Sequence, residues 1–262
     1  MVPLVEQLAA TWTSIEKLCA GLGEADWKHA TGCPGWTVQD QLSHLIDYES
    51  FALGRPRPEH TVADLTHTKN DMGAVNEIGV DARRALPGAA VLAEFIDVMG
   101  ERLERLRTLT EDALEAETQT PAGPGTVRDL LTLRVMDSWS HEQDIRRALD
   151  SPGHTDGPAV ETAVGYLSQF LPFAVAKKAG APEGSSVVIE VEGVATTSVV
   201  VENGRGGAVD ETIDDPTCRL RMDAPTFVAL VGGRSDARPD DVQIEGEEAL
   251  GRRVVGNLGF LP

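Results

Sequence analysis

The stretch Met136-Asp137-Ser138-Trp139-Ser140-His141-Glu142-Gln143-Asp144-Ile145-Arg146 decides how this chain is read. No Gly or Pro interrupts the sequence between Thr126 and Ser151, so it reads as one long helix. Asp137 and His141 are four apart and share a face, one turn above the other. The same stripe carries Leu130, Arg134, Asp144 and Ala148. It runs beside the apolar seam of Leu131, Val135, Ile145 and Leu149, where a helix normally turns into its core. A carboxylate and an imidazole there cost free energy unless something pairs with them. Asp-x-x-x-His on a helix is metal-ligand spacing, and a cation would meet that need.

Outward from this helix the chain divides in character. On its N-terminal side, apolar residues recur at helical spacing over about Pro3 to Leu22, again from Thr37 to about Leu53, and from Ala89 to Leu109. Thr61 to Ala85 is predicted helical with weaker periodicity, and Pro121 to Gly125 is predicted as a turn. Thr37-Val38-Gln39-Asp40 and Thr126-Val127-Arg128-Asp129 are matching helix starts, each with a capping hydroxyl and an acid three residues on. On the C-terminal side, a helix over about Ala159 to Lys178 contains Pro172, which should kink or split it. Then come β-branched runs at Val187–Glu192 and Thr197–Val201, an Asn203-Gly204 turn signal, further strands at Thr217–Met222 and Val242–Glu245, a short helix from Asp223 and a closing helix over Glu247–Asn257. The expected fold class is α+β, with a helical bundle over residues 1–155 and a smaller α/β domain over 156–262. The boundary is placed only within 151–184.

The chain has 262 residues, of which 41% are hydrophobic, enough for a buried core. Its formal charge of −19 argues against nucleic acid or an anionic membrane surface as partner. No stretch approaches the ~20 apolar residues of a membrane span. Cys19, Cys33 and Cys218 form neither a disulfide framework nor a CxxC site. The start, Met1-Val2-Pro3-Leu4-Val5-Glu6, shows no basic segment before an apolar run, so no signal peptide is expected, and the cytoplasm is the expected compartment.

Gly35-Trp36-Thr37-Val38-x-Asp40, followed by His44-Leu45 and by Asp137-x-x-x-His141-x-x-Asp144, resembles the mycothiol-dependent maleylpyruvate isomerase group of DinB-like metalloproteins. That resemblance implies a DinB-like four-helix bundle holding a divalent metal, zinc before other ions, through His44, Asp137 and His141. The family more often has Glu where this chain has Asp137. Cys218-Arg219-Leu220-Arg221-Met222-Asp223 through Phe227, Gly232-Gly233 and Ile244-Glu245-Gly246 resemble the sterol-carrier-type domain found behind many such bundles. Together the two resemblances cover nearly the whole chain.

Three protein donors with a fourth position open is the pattern of a catalytic zinc. The resemblance implies that mycothiol is the cosubstrate and a small electrophile the substrate, in an isomerase or an S-transferase. A metal-dependent hydrolase without the thiol, and a non-enzymatic protein that binds metal or lipid, stay open beside it. Asp144, one turn beyond His141, is a candidate acceptor orienting an imidazole, or else a solvated or arginine-paired acid. Arg83, Arg84 and Arg234 are candidate carboxylate anchors. His29, His60, His67 and His154 are expected in solvent, Cys33 is expected to be structural, and Trp36 and Trp139 are expected to pack in the core. A homodimer is left open.

Overall fold

The structure is a computed structural model that describes residues 2–211 and 213–260. Its internal contacts divide the chain into two compact units, the first ending at His154 and the second beginning at Thr155.

The first unit is built on four long helices. They are α1 (Pro3–Cys19), α3 (Val38–Ala52), α5 (Gly88–Leu106) and α7 (Val127–Ala148), with α2 (Glu24–Trp27), α4 (Asp71–Asp81) and α6 (Glu111–Leu114) between them. α1 and α5 each pack on α3 or α7 through apolar rows at helical spacing. The row on α1 is Val5, Leu8, Trp12, Ile15 and Cys19, and on α5 it is Val91, Phe95, Val98, Met99 and Leu106. α3 and α7 differ, because both bury many polar side chains as well. Both open with reciprocal capping boxes at the matching Thr-Val-x-Asp signals. The amides of Thr37 and Thr126 each donate to the carboxylate three residues on, at 2.8 Å in both.

Two sequence expectations for this unit are corrected. Residues 61–70 are not helical. α4 starts at Asp71, where the Asn70 side chain accepts from the Gly73 amide. The weak periodicity of that segment was no helix signal, and a strong cap overrode it. Pro121 to Gly125 belongs to a short antiparallel hairpin, β1 (Glu117–Thr120) with β2 (Gly123–Thr126), rather than to a simple turn.

The second unit contains α8 (Pro158–Ser168), α9 (Leu171–Phe173) and a π-helical turn over Ala174–Lys178, so the chain is broken just before Pro172, as proline's missing N–H requires. Its sheet comprises β3 (Ser186–Val191), β4 (Ala195–Glu202), β5 (Arg205–Val209), β6 (Cys218–Met222) and β7 (Gln243–Gly246), in the order β5-β4-β3-β6-β7. Among the described residues, only the β3–β6 pair is parallel. Asn203 and Gly204 adopt positive φ of 52° and 66° at the β4–β5 turn, as an Asn-Gly hairpin demands. α10 (Ala224–Val231) is capped by Asp223, and α11 (Glu248–Val255) closes the unit. No helix among the described residues is long and apolar enough to cross a membrane.

Candidate metal centre

His44 projects from the middle of α3, and Asp137 and His141 project from the middle of α7. Packing α3 against α7 brings the three together. One ligand atom from each lies within 4.8 Å of the others. His44 Nε2 is 3.4 Å from Asp137 Oδ2, and His141 Nε2 is 3.5 Å from Asp137 Oδ1. Both imidazoles are buried, while the Asp137 side chain keeps some exposure.

A layer of partners orients these side chains. His141 Nδ1 meets the Gln41 amide oxygen at 2.5 Å, and the Gln41 amide nitrogen donates to Thr31 Oγ at 2.7 Å. With its amide fixed that way round, Gln41 accepts the Nδ1 proton and leaves Nε2 with a lone pair turned to the trio. Asp144 is also near His141 Nδ1, at 3.5 Å, and is ion-paired with Arg147 as well. Asp144 is buried rather than solvated, and Gln41 is the closer of the two acceptors to His141 Nδ1.

Trp36 covers the two histidines, its ring centroid 5.2 Å from that of His44 and 5.8 Å from that of His141. Its indole N–H donates to Glu77 Oε2 at 2.8 Å. Glu77 is fully buried and is also paired with Arg84 at 2.6 Å and His67 at 3.1 Å. Gly35, at a φ of +79°, lies under the His67 ring, and a Cβ there would come within 2.6 Å of it. His67 is thus packed and paired, not solvated as the sequence suggested. His154 likewise meets the buried Glu142 at 2.7 Å, whereas His60 is exposed, as expected, and pairs at the surface with Asp81. A loop position in sequence does not reveal a distant buried carboxylate.

The candidate arginines have other partners. Arg83 is buried and forks onto Glu94 while donating to the Gly79 carbonyl. Arg84 joins Asp40, Glu77 and Asp81, and so braces both the α3 cap and the acid that holds Trp36. Arg234, in the second unit, bends back onto the Gly232 carbonyl.

Sequence reading overlooked Gln41 and the Arg134–Glu49 pair. Gln41 sits three residues before His44 on the same helix face, which was a usable signal. Arg134 was visible on the Asp137 stripe, but its partner Glu49 is on a different helix and no spacing rule links them.

The electrostatics favour a cation. Burial holds the His44 pKa below its usual value, against the pull of Asp137, so the ring is neutral and its lone pair is available. Burial also opposes charge on His141, but Asp137 first and then Asp144 outweigh it and raise that pKa. Burial disfavours the Asp137 carboxylate too, yet Arg134, His141 and His44 together hold it well below the usual carboxylate range. A permanent anion flanked by two imidazole nitrogens is a donor set for a divalent ion, with two nitrogens and one oxygen suited to zinc.

The description of the mycothiol maleylpyruvate isomerase N-terminal domain matches residues 8–146, and that of the C-terminal domain of the same family matches residues 161–253. Uncharacterized proteins from two strains of Mycobacterium tuberculosis, CDC 1551 / Oshkosh and ATCC 25618 / H37Rv, are each 27% identical over 149 residues. The matched region is 56% of this chain and 56% of each relative, so the chain spans little more than half the length of these curated relatives. Crystal structures of a mycothiol-dependent maleylpyruvate isomerase and of a mutant of it superpose with TM-scores of 0.53 and 0.55. Each covers 93% of both chains at 16% identity, a likeness of fold.

Proposed function

Since the chain belongs to the mycothiol maleylpyruvate isomerase family, we propose that it is a metal-dependent enzyme that uses mycothiol as thiol cosubstrate and acts on a small electrophile as an isomerase or S-transferase. The observation that carries this reading is the convergence of His44, Asp137 and His141 from two helices, with ligand atoms within 4.8 Å. A structural zinc site takes four protein donors, whereas three leave a position for an exogenous ligand. A divalent ion held there would supply a Lewis-acidic position at which a thiol is favoured as thiolate, the reactive form.

The chain's own residues do the rest. His44 offers a neutral nitrogen, and Gln41, by accepting the His141 Nδ1 proton, makes Nε2 the His141 nitrogen turned to the site. Trp36 shields both rings from water, and Glu77 keeps the indole in place. A low-dielectric wall of this kind strengthens every charge interaction inside it. In the isomerase reading, thiolate sulfur bonds to one carbon of a conjugated cis double bond and the electron pair moves into the adjoining carbonyl. The former double bond turns as a single bond. The pair then returns, the sulfur leaves, and the trans product forms with no atom gained or lost. In the transferase reading the adduct takes up a proton and is kept.

The test is optical and catalytic. Cobalt-loaded protein titrated with mycothiol should develop a sulfur-to-cobalt charge-transfer band, and maleylpyruvate should convert to its trans isomer, or the thiol be alkylated by a related electrophile, only when the thiol is present. An unchanged cobalt spectrum at millimolar mycothiol would reject the thiol role. Turnover that needs metal but no thiol would replace it with a hydrolase.

A further inference from the structure

Arg134 lies one turn before Asp137 on α7 and is 2% exposed. Its Nη1 donates to Asp137 Oδ2 at 2.7 Å, and its Nε donates to Glu49 Oε1 at 2.8 Å. The guanidinium carbon sits 3.8 Å from the centroid of the Tyr48 ring. The other oxygen of Glu49 takes the Arg102 Nε at 2.9 Å. The group is therefore fixed on several sides, by two carboxylates and an aromatic face, and its position does not depend on Asp137 alone.

We infer that Arg134 is a positioning residue that ties up one oxygen of Asp137, so that the carboxylate offers a cation a single oxygen and only part of its charge. This rests on the metal-site reading above. Oδ2 takes the Arg134 bond although it also lies 3.4 Å from His44 Nε2, whereas Oδ1, 3.5 Å from His141 Nε2, carries no such bond. A carboxylate free of such a bond can chelate with both oxygens and deliver its whole charge to the ion. Shared with a guanidinium, it is a weaker donor, and an ion so held keeps more of its charge for an exogenous ligand. The site thereby gives up metal affinity in exchange for reactivity at the open position. Glu49 and Arg102 set how much of the Arg134 charge reaches Asp137.

A role confined to holding the bundle together predicts that losing Arg134 lowers metal affinity or leaves it unchanged. The positioning role predicts the opposite sign. Zinc affinity is measured by chelator competition for the full-length wild type, Arg134→Met and Glu49→Gln, with the visible spectrum of each cobalt form. Arg134→Met should bind zinc on the order of tenfold more tightly, the scale on which outer contacts move metal affinity. Its cobalt absorption should weaken, as chelation by Asp137 adds a ligand. Glu49→Gln keeps the shape and leaves Arg134 and Arg102 less neutralised, so it should bind zinc several-fold more weakly. It tests the inference should the methionine variant fail to fold. Unchanged or reduced affinity in folded Arg134→Met, or unchanged affinity in Glu49→Gln, overturns the inference while leaving the metal site intact. A wild type that binds no zinc overturns the site and the inference together.

Discussion

The two units of this chain bury different things. Among the described residues, the interior of the first holds Asp40, Asp47, Glu49, Glu77, Arg134, Glu142 and Asp144 with both site histidines, whereas in the second the only buried polar residues are Ser185 and Ser198. The second unit's core is apolar throughout, from Val187, Ile189, Val199 and Leu220 on the sheet to Phe227, Leu250 and Val254 on the helices. Charges taken out of water are costly even when paired. A helical bundle needs none of them in order to fold. They concentrate around the His44–Asp137–His141 cluster of α3 and α7, whereas the second unit shows an interior assembled without buried charge.

That contrast can be broken at either end. The largest effect belongs to His44→Ala. It should lose bound metal and reduce thiol-dependent turnover to background, yet melt no lower than the unloaded wild type, because the group removed is a buried polar one. Metal analysis with a circular-dichroism melt checks both halves. Full activity in that variant would remove His44 from the site.

Phe227→Ala, fully buried in the second unit, should behave in the reverse manner. It should cost about 3–5 kcal/mol of stability, as large-to-small core changes do. Zinc affinity of the folded protein should stay within a factor of two. Denaturant melts and the same chelator competition decide this, and a large fall in affinity would show that the two units are not separable in function.

Smaller effects sharpen the comparison within the first unit. Thr37→Ala and Thr126→Ala each remove one side of a capping box, at about 1 kcal/mol apiece. Thr37 precedes the proposed ligand His44 by fewer helical turns than Thr126 precedes Asp137, so only the Thr37 change should also weaken zinc binding. Equal effects on binding would mean that the caps serve stability alone.

The smallest perturbation is chemical. Cys19 is buried between the helices, and burial first, then Glu142, pushes its thiol up to about 12. Burial and Glu247 likewise raise Cys218 to about 11. Raised thiol values mean that the reactive thiolate is scarce at pH 8. Iodoacetamide at that pH should label Cys33, which is partly exposed, before either of the others, as mass spectrometry of peptides would show. Early labelling of Cys19 would contradict its burial.

Much of this was legible in the sequence, for identifiable reasons. The paired Thr-Val-x-Asp signals are local chemistry, and both helices begin where they place them. Asp137 and His141 could be put on one face because helical geometry alone relates them, and His44 joined them through the family motif. Arg134 with Glu49, and Trp36 with Glu77, could not be read, since each pair joins elements whose approach depends on tertiary packing. The β1–β2 hairpin was missed because Gly123-Pro124-Gly125 reads as a loop, and its pairing with Glu117–Thr120 comes from the backbone rather than from an alternating apolar pattern.

One experiment bears on the central claim most directly: diffraction from zinc-loaded crystals with data on both sides of the zinc absorption edge. A single anomalous peak within about 2.0–2.2 Å of a nitrogen of His44, a nitrogen of His141 and one oxygen of Asp137, with a non-protein ligand completing the coordination, is the result expected. A peak elsewhere, or none in crystals shown to contain zinc, would contradict the account.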